Sequence, residues 1–170
     1  MGAHSLVNSM SSKAKPQPAS SRSHGHVPPP LDQRKLLGLI GYNCRRAYLR
    51  ILGVFRERMS KLNLRPVDFT VLALVRANPE VNQKRLSRAL DIDPPNMATL
   101  LDRLEARNLI VRKRNPEDKR SQLLELTAEG RTLHALAEKT VTKLEIDATS
   151  ALTSEERTEL MRIAQKIFLH

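Results

Sequence analysis

The sequence predicts a mainly α fold carrying one small β-hairpin, and three observations carry that prediction. Apolar residues recur at helical spacing over most of the chain from Leu31 onward. Two short helical segments are separated only by Asp91-Ile92-Asp93, the arrangement of a helix-turn-helix. Leu109-Ile110-Val111 and Leu123-Leu124-Glu125-Leu126 then flank a charged stretch containing a proline, which reads as a two-stranded hairpin. The combination is a winged helix-turn-helix of the α+β class, set within a helical dimerisation region.

Residues 1–30 are rich in Ser, Pro, Gly, His and Ala and end in Pro28-Pro29-Pro30. Such a segment buries too little apolar surface to offset its ordering entropy, so it reads as a disordered tail. Met10 is a candidate natural start, which would make residues 1–9 an appended leader. His4, His24 and His26 have no rigid scaffold there and read as solvated side chains, so no metal site is expected. The folded domain is expected over 31–170.

Within it, Ile40, Cys44, Ala47, Tyr48, Ile51 and Phe55 form one apolar stripe on a helix running from Leu31 to about Met59. Asn63 to Pro66 ends that helix, and Pro66 suits the first turn of the next, which carries Phe69, Leu72, Leu74 and Val75 and stops before Asn78-Pro79. A short helix follows from about Gln83 to Leu90, with Asn82 as its N-cap. Asp93 is expected to cap the next helix, with Pro94 and Pro95 in its first turn. That helix buries Met97, Leu100, Leu101 and Leu104 and ends near Arg107-Asn108, where asparagine suits the left-handed cap. After the hairpin, Thr127 caps a long helix marked by Leu133, Ala137, Val141, Leu144 and Ala148. Thr153 and Glu156 make a capping box for a last helix with Leu160, Ile163, Ala164 and Ile167. The DNA-binding lobe is expected over about 66–127, and dimerisation helices over about 31–60 and 128–168.

The charge narrows the function. The chain has 29 Lys and Arg against 18 Asp and Glu, a formal +11. The first thirty residues hold three of the cations (Lys13, Lys15, Arg22) and no acid, which leaves the remainder at +8. A basic surface of that size favours a polyanionic partner through neutralised phosphates and released counterions. The lone cysteine, Cys44, excludes an intramolecular disulfide and a cysteine-rich zinc site and fits a reducing cytosol. No apolar run approaches the roughly 20 residues that span a bilayer, and the N-terminus lacks a secretory h-region. A cytoplasmic protein with no membrane association is expected. Gly-rich phosphate loops, nucleophile elbows and metal-spaced His/Cys/Glu sets are missing from the sequence, so neither an enzyme nor a cofactor is expected.

The motif Asp118-Lys119-Arg120-Ser121, followed by Leu124-Glu125-Leu126-Thr127 and Gly130, resembles the wing signature of the MarR family of bacterial regulators. Asp102-Arg103-Leu104-Glu105 and the order of elements support the resemblance, which covers roughly residues 35 to 168. Asn108 stands where relatives usually carry glycine, and asparagine serves the same cap. The resemblance implies that the wing arginine, Arg120, enters the minor groove, where narrow A·T-rich DNA concentrates negative potential. Asp118 then either orients Arg120 or simply forms the turn.

Between Arg103 and Arg120 there are seven cations against three acids. A charge run is ordinarily a solvated face, but its place on a hairpin after a candidate recognition helix favours nucleic acid. Arg112, Arg114, Lys119, Arg120 and Ser121 are therefore candidate DNA contacts. With the apolar face of the recognition helix committed to the core, Pro95, Asn96, Thr99 and Arg103 face outward. Asn96 suits adenine, Arg103 a guanine or a phosphate, and Thr99 and Pro95 a thymine methyl. The flanking helices carry stripes too long for a small lobe to cover. Pairing two chains would cover them and give the symmetry that two half-sites roughly 10 base pairs apart require.

Family members commonly hold an effector between the dimer helices and the lobe. The resemblance thus implies a homodimeric repressor of aromatic-catabolism genes that a small aromatic acid or acyl-CoA releases from its operator. Tyr42, Arg45, Arg46, Tyr48 and Arg50, with Phe69, are the candidates. Arginines beside tyrosines suit a carboxylate or coenzyme A phosphates, and Arg45-Arg46-Ala47 is similar to the hydroxycinnamate-responsive members. The alternative is that these arginines only solvate a dimer helix or touch DNA phosphates. Some relatives sense peroxide through a cysteine in the first helix. Here Cys44 lies on the apolar stripe about a turn later, so a buried, inert thiol is expected. A sequence-tolerant architectural DNA binder is the remaining alternative.

Overall fold

The computed structural model describes residues 30–116 and 121–169. The chain divides into two units, Met1–Gln33 and Arg34–His170. Of the first, residues 30–33 are exposed and form no regular element; the expected tail at 1–29 lies outside the described residues. The second unit holds α1 (Arg34–Leu37), α2 (Ile40–Met59), α3 (Pro66–Ala77), α4 (Gln83–Leu90), α5 (Pro94–Ala106), β1 (Ile110–Arg114), β2 (Gln122–Leu126), α6 (Ala128–Ala148) and α7 (Ser154–Phe168). A single 3-10 turn, Ser60–Leu62, follows α2 and ends on Asn63 in the left-handed region at φ 48°.

The first expected helix is two. Leu39 is extended, and the Asn43 side chain donates to the carbonyls of Leu37 and Leu39, each at 2.8 Å. Gly38, a weak helix former, sits at the break, and the Asn43 side chain satisfies the Leu37 carbonyl that a continuous helix would have paired itself.

Local signals otherwise placed the ends well. Asn82 accepts from the Arg85 amide and Thr127 from the Gly130 amide; Thr153 and Glu156 complete a reciprocal capping box. Asn108 takes the left-handed conformation at φ 53°. Asp93 precedes α5 as expected, but its side chain makes no capping bond; Pro95 at the second helical position removes one of the two amides that a cap serves.

The core is a lobe of α3, α4, α5 and the hairpin, closed by α6. Leu72, Leu86, Met97, Leu101, Leu104 and Ile110 are all at most 1% exposed. The strands pair antiparallel with Ile110 opposite Leu126 and Arg114 opposite Gln122. A third piece of backbone joins them. The Leu124 amide donates to the Val81 carbonyl at 2.8 Å, and Asn82 bridges Leu123.

Gly130 explains why α6 can start where it does: a Cβ there would lie 1.9 Å from the Leu109 carbonyl oxygen. The same carbonyl accepts from the Thr127 amide, and the Thr127 hydroxyl donates to the Asn108 carbonyl at 2.6 Å. This close approach seats the wing base on α6.

α6 packs along α2 and reaches α3 and β2. The expected α2 stripe is buried only at its C-terminal end, at Phe55 and Met59. Ile40 is 73% exposed and Cys44 is exposed as well. The expectation of a buried thiol is therefore overturned for the single chain: the stripe is real, but none of the described residues covers its first half. α7 has no buried residue, and Leu160, Ile163 and Ile167 are exposed. No helix among the described residues is long and apolar enough to cross a membrane.

Candidate nucleic-acid interface

The recognition helix divides as its spacing requires. Met97, Leu100, Leu101 and Leu104 are buried, while Pro95, Asn96 and Thr99 are exposed on the opposite side. The Thr99 hydroxyl donates to the Pro95 carbonyl at 3.1 Å, so its proton is engaged within the helix and its acceptor capacity and methyl remain.

Arg103 departs from the expectation. Its guanidinium is ion-paired with Asp68, whose side chain is 2% exposed, and its own side chain is only 32% exposed. The other Asp68 oxygen accepts from the Arg65 amide at 3.0 Å, at the start of α3. A carboxylate buried beneath α5 demands a cation, and Arg103 is within reach; leaving it unpaired would carry the full cost of a buried charge. Arg103 thus ties α5 to α3 instead of projecting outward.

Arg112 departs too. It bridges Asp102 (2.6 Å) and Glu105, both on α5, with its side chain 20% exposed. Two acids spaced three apart on one helix face converge on this strand position, so Arg112 braces the wing against α5. Arg107 donates to the carbonyls of Asn63 (2.7 Å) and Leu62 (3.3 Å), which joins the end of α5 to the turn after α2.

Of the remaining wing candidates, Arg114 is exposed and has no ion-pair partner among the described residues. Lys113 pairs with Glu125 across the strands at 2.6 Å. Ser121 closes the wing: its Oγ accepts from Asn115 Nδ2 at 2.9 Å and its carbonyl from the Asn115 amide at 3.3 Å. Asp118, Lys119 and Arg120 lie outside the described residues.

Between α4, the α4–α5 turn and the wing base lies a cleft of about 1010 Å³. Lys84, Ser87, Arg88, Arg112, Ser121 and Gln122 are among its walls. Lys84 and Arg88 are exposed, one turn apart on α4. Ser87 between them is buried, and its hydroxyl has no hydrogen-bond partner. Gln83 Nε2 donates to the Pro94 carbonyl at 3.0 Å and fixes α4 to the start of α5. Sequence reasoning missed these α4 residues; two cations spaced i, i+4 on the first helix of the helix-turn-helix were the available signal.

The effector candidates separate into two places. Arg45, Arg46, Tyr48 and Arg50 are exposed on the uncovered half of α2, with Tyr42 half-buried beside them. Phe69 is half-buried on α3 and stacks on His134 of α6, centroids 5.7 Å apart and planes within 2°. None of the six lines the cleft at the wing base.

The MarR family model matches residues 64–122, which span the lobe from the turn before α3 into β2. The chain is 38% identical to the transcriptional repressor CouR in a structure bound to a 23-mer DNA duplex. That match covers 82% of this chain and 99% of the other, with a TM-score of 0.77. CouR bound to p-coumaroyl-CoA matches at 37% identity and a TM-score of 0.73, over 81% of this chain and 97% of the other. A regulatory protein assigned to the hcr operon of Thauera aromatica is 26% identical over 134 residues, 78% of this chain and 81% of that protein.

Proposed function

The chain belongs to the MarR family of transcriptional regulators, and from that premise we propose that it is a homodimeric repressor of aromatic-catabolism genes, released from its operator by an aromatic acid or an aromatic acyl-CoA. The observation that carries the DNA reading is the exposed row Pro95, Asn96 and Thr99 beside a cleft walled by Lys84 and Arg88. The row suits base edges. The Lys84 and Arg88 side of the cleft, away from Asp91 and Asp93 of the turn, suits the sugar–phosphate backbone. Arg114, Lys119, Arg120 and Ser121 are the proposed wing contacts, with Asp118 as the partner that orients Arg120. Arg103 and Arg112 act here as struts that fix the reading helix and the wing.

The dimer reading rests on the exposed apolar residues of α1, the first half of α2 and α7. One protomer leaves them in water, and a second copy would remove them from it. CouR's two states support an effector of the p-coumaroyl-CoA class. Tyr42, Arg45, Arg46, Tyr48, Arg50 and Phe69 are its candidate contacts; the arginines would meet phosphates and the rings the aromatic group. A ligand that binds better to the arrangement unable to hold DNA would release the operator by differential affinity. The proposed organisation is a tail over 1–30 and a folded domain over 31–170.

Cys44 supports a second reading. In one protomer its thiol is exposed, on the half of α2 that the proposed dimer would cover, and a Cys44→Ser variant that keeps its effector response but loses peroxide-linked release would establish an oxidant-responsive repressor.

The deciding experiment is a gel shift on the chain's own upstream DNA with excess random competitor and a panel of aromatic acids and their CoA thioesters. A specific complex dissolved by one compound supports the whole reading. Equal binding to random duplex would replace it with an architectural role. Arg120→Ala is expected to weaken the specific complex by about 1–3 kcal/mol, and unchanged affinity would remove Arg120 from the wing contacts.

A further inference from the structure

One buried ionisable ring has no task in the reading above. His134 of α6 is 2% exposed, and neither Nδ1 nor Nε2 has a hydrogen-bond partner among the described residues. Burying a polar ring with both nitrogens unsatisfied is costly, and an apolar ring would fill the same space without that cost. Its parallel stack on Phe69 joins α6 to α3. The residue before Phe69 is Asp68, the buried carboxylate that holds Arg103 of the recognition helix. Two consecutive residues of α3 therefore grip α6 on one side and α5 on the other.

We propose that His134 is an acid-sensitive latch: its neutral ring allows α3 and α6 to stay closed, and its protonation opens that junction and loosens the hold on DNA. The charges around the ring set the direction. Burial disfavours the imidazolium most strongly, Glu138 on α6 itself favours it, and Arg76 on α3 disfavours it; the net effect is a pKa below the ordinary imidazole value. α2 places Arg58 on Asp147 at 2.9 Å, and Glu125 of β2 is paired with Lys113. A ring whose pKa is depressed in the closed state takes up a proton more readily once the junction opens. Closure is thus fully favoured above about pH 6.5, the ordinary value. It loses ground as pH falls below that value and through the depressed one.

The latch as a control of DNA binding rests on the operator reading, so its test has one arm without DNA. In the full chain, the His134 ring resonance and the amide exchange of α3 are followed from about pH 8 to about pH 5. The expected result is a titration below the ordinary imidazole value, accompanied by lower protection of the α3 amides, after correction for the pH dependence of intrinsic exchange, that His134→Phe abolishes. In the second arm, affinity for a specific upstream fragment at fixed ionic strength is expected to fall several-fold on acidification. His134→Phe should leave it flat or rising, as added positive charge alone would. Identical pH profiles in the two proteins overturn the latch. So does a ring that titrates at its ordinary value with α3 protection unchanged, a result that needs no variant to fold. Loss of all specific DNA binding at neutral pH, with the exchange arm intact, would remove the operator reading and leave the latch.

Discussion

The lobe and the helices flanking it carry apolar residues at the same helical spacing, yet use them differently. In α5 every apolar stripe residue named from the sequence is buried, and in α7 none is. The lobe also binds its polar residues internally: Asp68 to Arg103, Asp102 and Glu105 to Arg112, Arg107 to the carbonyls after α2. α1, the first half of α2 and α7 show apolar and basic side chains to solvent instead. Periodicity therefore identifies a face that must be covered, but not which molecule covers it.

Four substitutions test that contrast. The largest effect on unfolding is expected from Leu101→Ala in the lobe, about 2–5 kcal/mol by thermal or denaturant melts, because a fully buried side chain leaves a cavity. A loss under about 1 kcal/mol would show that the lobe tolerates loose packing.

Asp68→Ala removes a nearly buried carboxylate whose partner is about a third exposed. A loss of about 1–3 kcal/mol is expected, below that of a fully buried pair because water reaches Arg103. It should also reorient the recognition helix, visible as weakened DNA binding in a protein that remains folded at low temperature.

Arg88→Ala should leave stability within about 0.5 kcal/mol and reduce the salt slope of DNA binding by about 1. An unchanged slope would remove the wing-base cleft from the phosphate path.

The smallest effect on the fold of one protomer, and the sharpest test of the comparison, is Ile163→Glu on α7. Melting of dilute monomer should move by no more than about 0.5 kcal/mol, while sedimentation shifts from dimer to monomer. A variant that still sediments as a dimer would place the interface elsewhere.

Much of the fold was legible because its signals are local. Asn82, Thr127 and Thr153 cap helices through bonds within three residues, and Asn108 turns left-handed where the helix must stop. The break at Leu39 was hidden, since the Asn43 bonds that stabilise it are invisible to a periodicity count. The Val81 pairing to β2 was hidden because one bonded residue is too short to read as a strand. In the candidate site, Pro95, Asn96 and Thr99 could be placed outward from spacing alone. Arg103 and Arg112 could not, because their partners lie 35 residues away and on a different element respectively.

The sequence by itself determined the order of the elements from α3 onward, the caps at Asn82, Thr127 and Thr153, the buried face of the recognition helix and the basic character of the wing. These follow from backbone preferences and side-chain periodicity over one or two turns. Only the tertiary structure decided which arginines project and which brace. It also placed Gly130 against the Leu109 carbonyl, seated Phe69 on His134, and left Cys44 in solvent. An ionised side chain takes the partner that burial makes most demanding, and a thiol is buried only where another surface meets it. Both depend on which elements meet in space, a relation that no local pattern in the chain encodes.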